Sequence, residues 1–360
     1  MDRLTLTGPV RGDLLSCYGT ATAGLLRSVG VPEELAMGTQ LFLGVRRAGS
    51  LVEFLHHHTP LVGDGVLYRI DLRRRGATEP RAAGEAMARH AEARGVAVVT
   101  GCSAHLDWIG AGGSDTAPHW FLVRPSDGSS DGPSGTFQVD DPFTWTDGAG
   151  RHHPGFAGPF PSTGIGSLAW SPPPLGPQQT SRERWALGDR RDRPSWSDGR
   201  PWQWLEVAGA EVADAGAAEF GRLMCHRTVQ GRITDPEVAA HGWATGPDAF
   251  TVLAEWLESG LSESATYAHK NDFWVAARNR KMVAASLQSP RCAKVSAGLE
   301  QVGAWTESIL VPAWTALVRT LHYNALSIAR GRRPRPGVLA DLRTIAELES
   351  RFRERLADAL

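Results

Sequence analysis

The sequence predicts an α+β chain: an N-terminal helix packed on an antiparallel sheet, followed by a mainly helical domain. Three observations predict it. A glycine-punctuated turn, Gly12-Asp13-Leu14-Leu15-Ser16, gives way to a small-residue helical run from Cys17 to Leu26. Three strand-like runs follow between residues 96 and 141, separated by turn-rich stretches. From about residue 206 onward, apolar residues recur at helical spacing. The expected division is a core over residues 1–145, a tryptophan- and proline-rich ordered loop segment or linker over 146–205, and a mainly helical domain over 206–360.

The 360 residues suffice for one large domain or two of ordinary size, and 42% hydrophobic with 21% charged residues fits a globular protein. A formal net charge of -1 gives no bulk field for nucleic acid or an anionic membrane. No apolar run approaches the ~20 residues of a membrane span, and Met1 to Thr7 lacks a signal-peptide core. A cytoplasmic location is therefore expected. Cys17, Cys102, Cys225 and Cys292 are widely scattered, which suggests neither a disulfide framework nor a metal site.

Taken in order, Cys17 falls at a helix N-terminus. Residues 31–60 read as more helix, with Pro32-Glu33-Glu34 as its start signal and Leu51 to Leu55 as a short apolar run. The triplet His56-His57-His58 reads as a solvated helix end, since adjacent histidines point apart. Val66 to Leu72 fits a strand, and Ala82 to Arg94 a helix that stops at Gly95. The unbroken apolar run Val96 to Cys102 marks a buried strand. His119 to Val123 and Thr136 to Asp140 form a strand pair around a glycine- and serine-rich loop. Residues 144–205 hold Trp145, Trp170, Trp185, Trp196, Trp202 and Trp204, a density suited to a wall of loops over a site. Further on, Phe273 to Leu287 forms a helix with Arg278, Arg280 and Lys281 on a basic side. A stripe through Leu299, Val302, Trp305 and Ile309 continues beyond Pro312, which must kink or divide its helix.

Three of these residues carry chemistry together. A thiolate at a helix N-terminus is stabilised by unpaired N–H groups and the macrodipole, which makes Cys17 a candidate nucleophile. His119 begins one strand and Asp140-Asp141 end its antiparallel partner, so the imidazole and a carboxylate are neighbours in space. Thiol, imidazole and carboxylate are the parts of a cysteine acyl-transfer centre. Their order, Cys then His then Asp, with the nucleophile on an early helix and the others on a later sheet, is that of papain-like folds.

The stretches around Cys17, Arg94 to Val99, His119 to Val123 and Phe137 to Pro142 resemble the cysteine-peptidase-like superfamily, which includes double-glycine leader peptidases. Within it the chain looks most like the family of butirosin biosynthesis protein H. The resemblance implies a papain-like fold with a helical C-terminal domain, with Cys17 as nucleophile, His119 as base and Asp141 as orienter. It implies an acyltransferase that moves an acyl or aminoacyl group from the phosphopantetheine thioester of an acyl carrier protein to a small-molecule amine, as in antibiotic biosynthesis. The arm is a donor, so no bound cofactor and no metal are expected. The helix carrying Arg278, Arg280 and Lys281 is expected at the rim of the site and Trp145 in its wall. Two departures are plain: no glutamine precedes the cysteine, where Arg11 and Asp13 stand, and Ser16 occupies a position often held by histidine. An intramolecular cyclase, a cysteine peptidase or amidase, and a carrier-binding pseudo-enzyme remain alternatives. Neither nucleic acid nor membrane is expected as a partner, and a homodimer is left open.

Overall fold

The computed structural model describes residues 12–31, 43–49, 51–55, 68–109, 118–126, 136–146, 152–168, 202–212, 242–259 and 269–360, with isolated positions at Arg222, Cys225 and Ala240. The triplet His56-His57-His58 and the tryptophans at 170, 185 and 196 lie outside the described residues. The chain forms an α+β structure with antiparallel sheets. Two units emerge: residues 1–33 with 61–213, and residues 34–60 with 214–360. No described helix is long and apolar enough to cross a membrane.

In chain order the elements are α1 (Cys17–Ser28), the hairpin β1 (Gly44–Ala48) and β2 (Leu51–Leu55), β3 (Tyr68–Ala77), α2 (Pro80–Arg94) and β4 (Ala97–Cys102). Next come β5 (Pro118–Pro125), β6 (Thr136–Asp141), β7 (Trp145–Thr146), β8 (His152–His153), β9 (Phe156–Pro161), α3 (Ser162–Leu168), β10 (Trp202–Val212) and β11 (Ala244–Thr245). The last helices are α4 (Pro247–Glu258), α5 (Lys270–Leu287), α6 (Pro290–Ala293), α7 (Gly298–Trp305), α8 (Val311–Ala329) and α9 (Val338–Ala359).

The first unit is built on a six-stranded antiparallel sheet in the order β3-β10-β4-β5-β6-β9. One face packs Val99, Phe121, Val123, Phe137, Val139 and Trp204 against Ala83, Met87 and Ala91 of α2. Alternation along β6 puts Phe137, Val139 and Asp141 inward and leaves Thr136, Gln138 and Asp140 half-buried. Helix α1 covers the other face of β5, where Tyr18 meets Trp120 edge-on at 5.2 Å. Gly24 lies so close to Leu122 that an added Cβ would overlap it. Both edges are blunted in the sequence itself: β3 carries Arg73, Arg74 and Arg75, and β9 carries Pro159 and Pro161. A register shift in β10 between Val207 and Gly209 leaves the Val207 N–H to donate to Nε2 of His90 on α2, at 3.1 Å. Burial pushes the His90 pKa down, against the pull of Glu206, which suits a neutral acceptor.

The second unit joins the β1–β2 hairpin and β11 to helices α4 through α9. Arg46 and Glu53 face each other across the hairpin and pair. Trp256, Phe273, Trp314 and Leu321 are buried in the helical core. There the Arg280 guanidinium donates to Glu349 at 2.7 Å, and the Trp314 indole N–H donates to the same oxygen at 2.7 Å.

The structure departs from the sequence reading in four places. Residues 44–55, expected to be helical, form a hairpin in the second unit, because cross-strand pairing outweighs local propensity. Trp202 to Val212, expected as loop and then helix, is a strand, so the first unit runs on to residue 213 and no division falls at 145 or 205. Residues 156–168, within the expected loop segment, are strand and helix. The interruption expected at Pro312 is a widened turn just ahead of it, over Thr306–Leu310, in which the Val311 N–H reaches back five residues to Thr306 and the chain stays helical. That extra residue turns Ile309 to solvent, 44% exposed, off the expected buried stripe.

Candidate active site

Cys17 is the first residue of α1, held there from both sides. Leu14 and Leu15 of the preceding turn are buried, and the Gly19 N–H donates to the Ser16 hydroxyl oxygen at 3.1 Å, which caps the helix. Gly12 is required by close approach, since a Cβ there would overlap the Pro142 carbonyl. The Thr144 N–H donates to the Gly12 carbonyl at 3.2 Å, so the chain leaving β6 is tied to the turn that presents the cysteine. As the first helical N–H, that of Cys17 is one of the orphan donors of the helix start, a kind of group that can stabilise charge developing on a reacting carbonyl oxygen.

His119 enters at the start of β5 and Asp141 at the end of β6. The register pairs Leu122 with Asp140, which puts Asp141 diagonal to His119 on the same face. His119 Nε2 lies 2.6 Å from Asp141 Oδ2, with the two residues 5% and 1% exposed. The Cys17 thiol is near enough to His119 for both a charge interaction and a hydrogen bond. With Nε2 given to the carboxylate, Nδ1 is the nitrogen left for the thiol. Burial opposes charge on this ring, but the Asp141 carboxylate and the Cys17 side chain outweigh it and push the His119 pKa up to about 10.

Adjacent carboxylates have separate fates. Asp140 faces the other side and pairs with Arg124 at 3.0 Å. Burial pushes its pKa up, although Arg124 pulls it down. Asp141 is fully engaged: Oδ2 also accepts the indole N–H of Trp108 at 2.8 Å, and Oδ1 accepts the Phe143 N–H at 3.2 Å. The Trp108 ring stacks on Phe156 at 4.5 Å and meets Phe121 edge-on at 5.9 Å. Sequence reasoning missed Trp108, because it sits in a short helical turn inside a stretch that reads as loop. A lone tryptophan just ahead of the histidine strand was the only signal.

Trp145 stacks on His153 at 4.3 Å in the β7–β8 ribbon, directly after the segment tied to Gly12. Arg278 and Arg280, expected at an exposed rim, are instead buried on α5, because nearly every face of that helix is packed. Arg280 is used by Glu349, Arg278 lies over the Trp274 ring at 4.7 Å, and only Lys281 of the three is exposed. Arg11 lies outside the described residues, and Asp13 is exposed. No group of three or more metal-ligating side chains occurs among the described residues. No protein-family model matches the chain, and no curated protein is significantly similar to it.

Proposed function

We propose that this chain is a cysteine-dependent acyltransferase with a papain-like core, taking an acyl or aminoacyl group from a carrier-protein thioester and passing it to an amine. The observation that carries the reading is the convergence of Cys17 at a helix N-terminus, His119 and Asp141. A helix across one face of an antiparallel sheet, with the histidine and the carboxylate on neighbouring strands, supports the papain-like assignment.

In the first half-reaction the Cys17 thiolate attacks the thioester carbonyl, and the Cys17 N–H faces the developing oxyanion. The C–S bond to the carrier arm breaks, and His119 gives its proton to the departing thiolate. In the second, His119 accepts the proton of the attacking amine, the amide forms, and Cys17 leaves as thiolate. Asp141 fixes the ring through Nε2 in both halves.

The test is intact-mass spectrometry after mixing the protein with an acyl thioester. Wild type gains one acyl group on Cys17, Cys17→Ala gains none, and added amine clears the adduct as an amide. Clearance by water alone at the same rate would reassign the chain to the hydrolases. No adduct with any thioester would overturn the reading.

A further inference from the structure

The second unit presents a basic face that the buried Arg278 and Arg280 do not supply. Residues 311–340 contain five arginines, Arg319, Arg330, Arg332, Arg333 and Arg335, and no acidic residue, in a chain of formal net charge -1. All five are exposed, and none forms an ion pair with a described carboxylate. Arg319, Tyr323, Leu326 and Arg330 follow helical spacing along one side of α8. The opposite side, with Trp314, Leu317 and Leu321, is buried. Tyr323 and Leu326 are 42% and 55% exposed, two of three large hydrophobic side chains so exposed among the described residues.

The loop that follows is held in shape. Asn324, fully buried, accepts the Arg335 N–H at 2.7 Å and donates to the Arg335 carbonyl at 3.0 Å. The Arg332 N–H donates to the Ser327 carbonyl at 2.8 Å. The loop backbone that carries Arg332 and Arg335 is therefore already ordered, and little loop entropy is lost on binding.

We infer that this face, Arg319–Tyr323–Leu326–Arg330 with Arg332 and Arg333, docks an acidic protein surface, that of the carrier protein bearing the acyl thioester. The partner's identity rests on the acyl-transfer reading; the surface itself does not. Unpaired guanidinium groups around an apolar centre fit carboxylates flanking an apolar side chain. A nucleic acid fits less well, because the face offers a single aromatic ring, Tyr323, already covered on one side by the Arg335 guanidinium at 3.9 Å, where a run of bases needs several rings to stack on. Two apolar side chains are also too few for the buried stripe of a membrane-lying helix.

The test uses the full-length chain, a phosphopantetheinylated acyl carrier protein and a short soluble acyl thioester. Arg332→Glu with Arg333→Glu is expected to weaken carrier binding at least tenfold, and to lower kcat/KM for the carrier-borne acyl group by the same factor. Acylation of Cys17 by the short thioester is expected to persist. Binding is also measured on Cys17→Ala, so that docking is read even where acyl transfer fails. Carrier binding unaffected by the charge reversals, or tighter binding of the wild type to single-stranded RNA or phosphatidylserine vesicles than to the carrier protein, would overturn the inference.

Discussion

Replacing Asp141 by Asn isolates what the carboxylate charge does, because the amide can keep most of the geometry. Oδ2 accepts from both His119 and Trp108, so the amide oxygen takes that position and still orients the ring. The amide nitrogen then faces the Phe143 N–H that Oδ1 had accepted, and one donor is left unpaired, at a cost of about 1–3 kcal/mol in stability. The larger effect is electrical. Burial lowers the His119 pKa, and the Asp141 charge is the largest influence holding it up. Without that charge the ring falls from about 10 toward or below its ordinary 6.5, a change on the order of 5 kcal/mol between its two protonation states. The charged ring is then no longer the resting form at neutral pH. Alkylation of Cys17 by iodoacetamide at pH 7 is expected to slow by about 10²–10⁴-fold, the usual span for losing acid–base assistance. The assay is the pH profile of alkylation, read beside a histidine NMR titration. Asp140→Asn, whose carboxylate serves Arg124, should change neither. A His119 resonance still titrating near 10 in Asp141→Asn, with an unchanged alkylation profile, would refute the reasoning.

The same pair predicts how stability follows pH. His119 has a folded-state pKa of about 10, above the unfolded 6.5, so its contribution is complete below pH 6.5 and is lost as pH rises through 10; urea unfolding at pH 6, 8 and 10 should show a decline that Asp141→Asn flattens. Trp108→Phe keeps a ring against Phe156 but removes the indole donor to Asp141, and should cost about 1–3 kcal/mol in urea unfolding while slowing Cys17 alkylation. Gly12→Ala forces apart the Cys17 turn and the Pro142 carbonyl, so loss of alkylation at pH 7 should exceed what the shift in unfolding midpoint accounts for. Glu349→Gln strands the buried Arg280 charge and should destabilise the second unit by about 3–5 kcal/mol, with Cys17 alkylation at 25 °C retained.

Local chemistry made much of the first unit legible. Gly95 ends α2 with φ 86°, as a stop signal after a helical run should. The strand boundaries at His119 and Asp141 made the pairing of imidazole and carboxylate readable, because antiparallel geometry puts the start of one strand beside the end of the next. What escaped was set by partners far along the chain. Strand β10 is buried at Gln203, Trp204 and Leu205, on both faces, so it shows no alternation, and its neighbours β3 and β4 lie more than a hundred residues earlier. The hairpin at residues 44–55 is short and carries arginines, and it becomes a sheet only by pairing with itself and with Ala244–Thr245. Arg280 looks like a surface cation until Glu349, sixty-nine residues on, is placed against it.

A transfer centre makes opposite demands on one imidazole: it must supply a proton to the departing thiol and later take one from the amine. Three influences act on His119 — burial against charge, Asp141 for it, and the Cys17 sulfur for it. Only the last changes during the proposed cycle. While Cys17 is a thiolate, both neighbours hold the ring charged, and it is an acid in waiting. Once the sulfur carries an acyl group its charge is gone, burial works against Asp141 alone, and the ring gives up its proton more readily. In the proposed cycle, acylation would thereby move His119 from donor to acceptor without any movement of the fold. Asp141 can stay fixed throughout, which agrees with its complete set of partners in Trp108, Phe143 and His119.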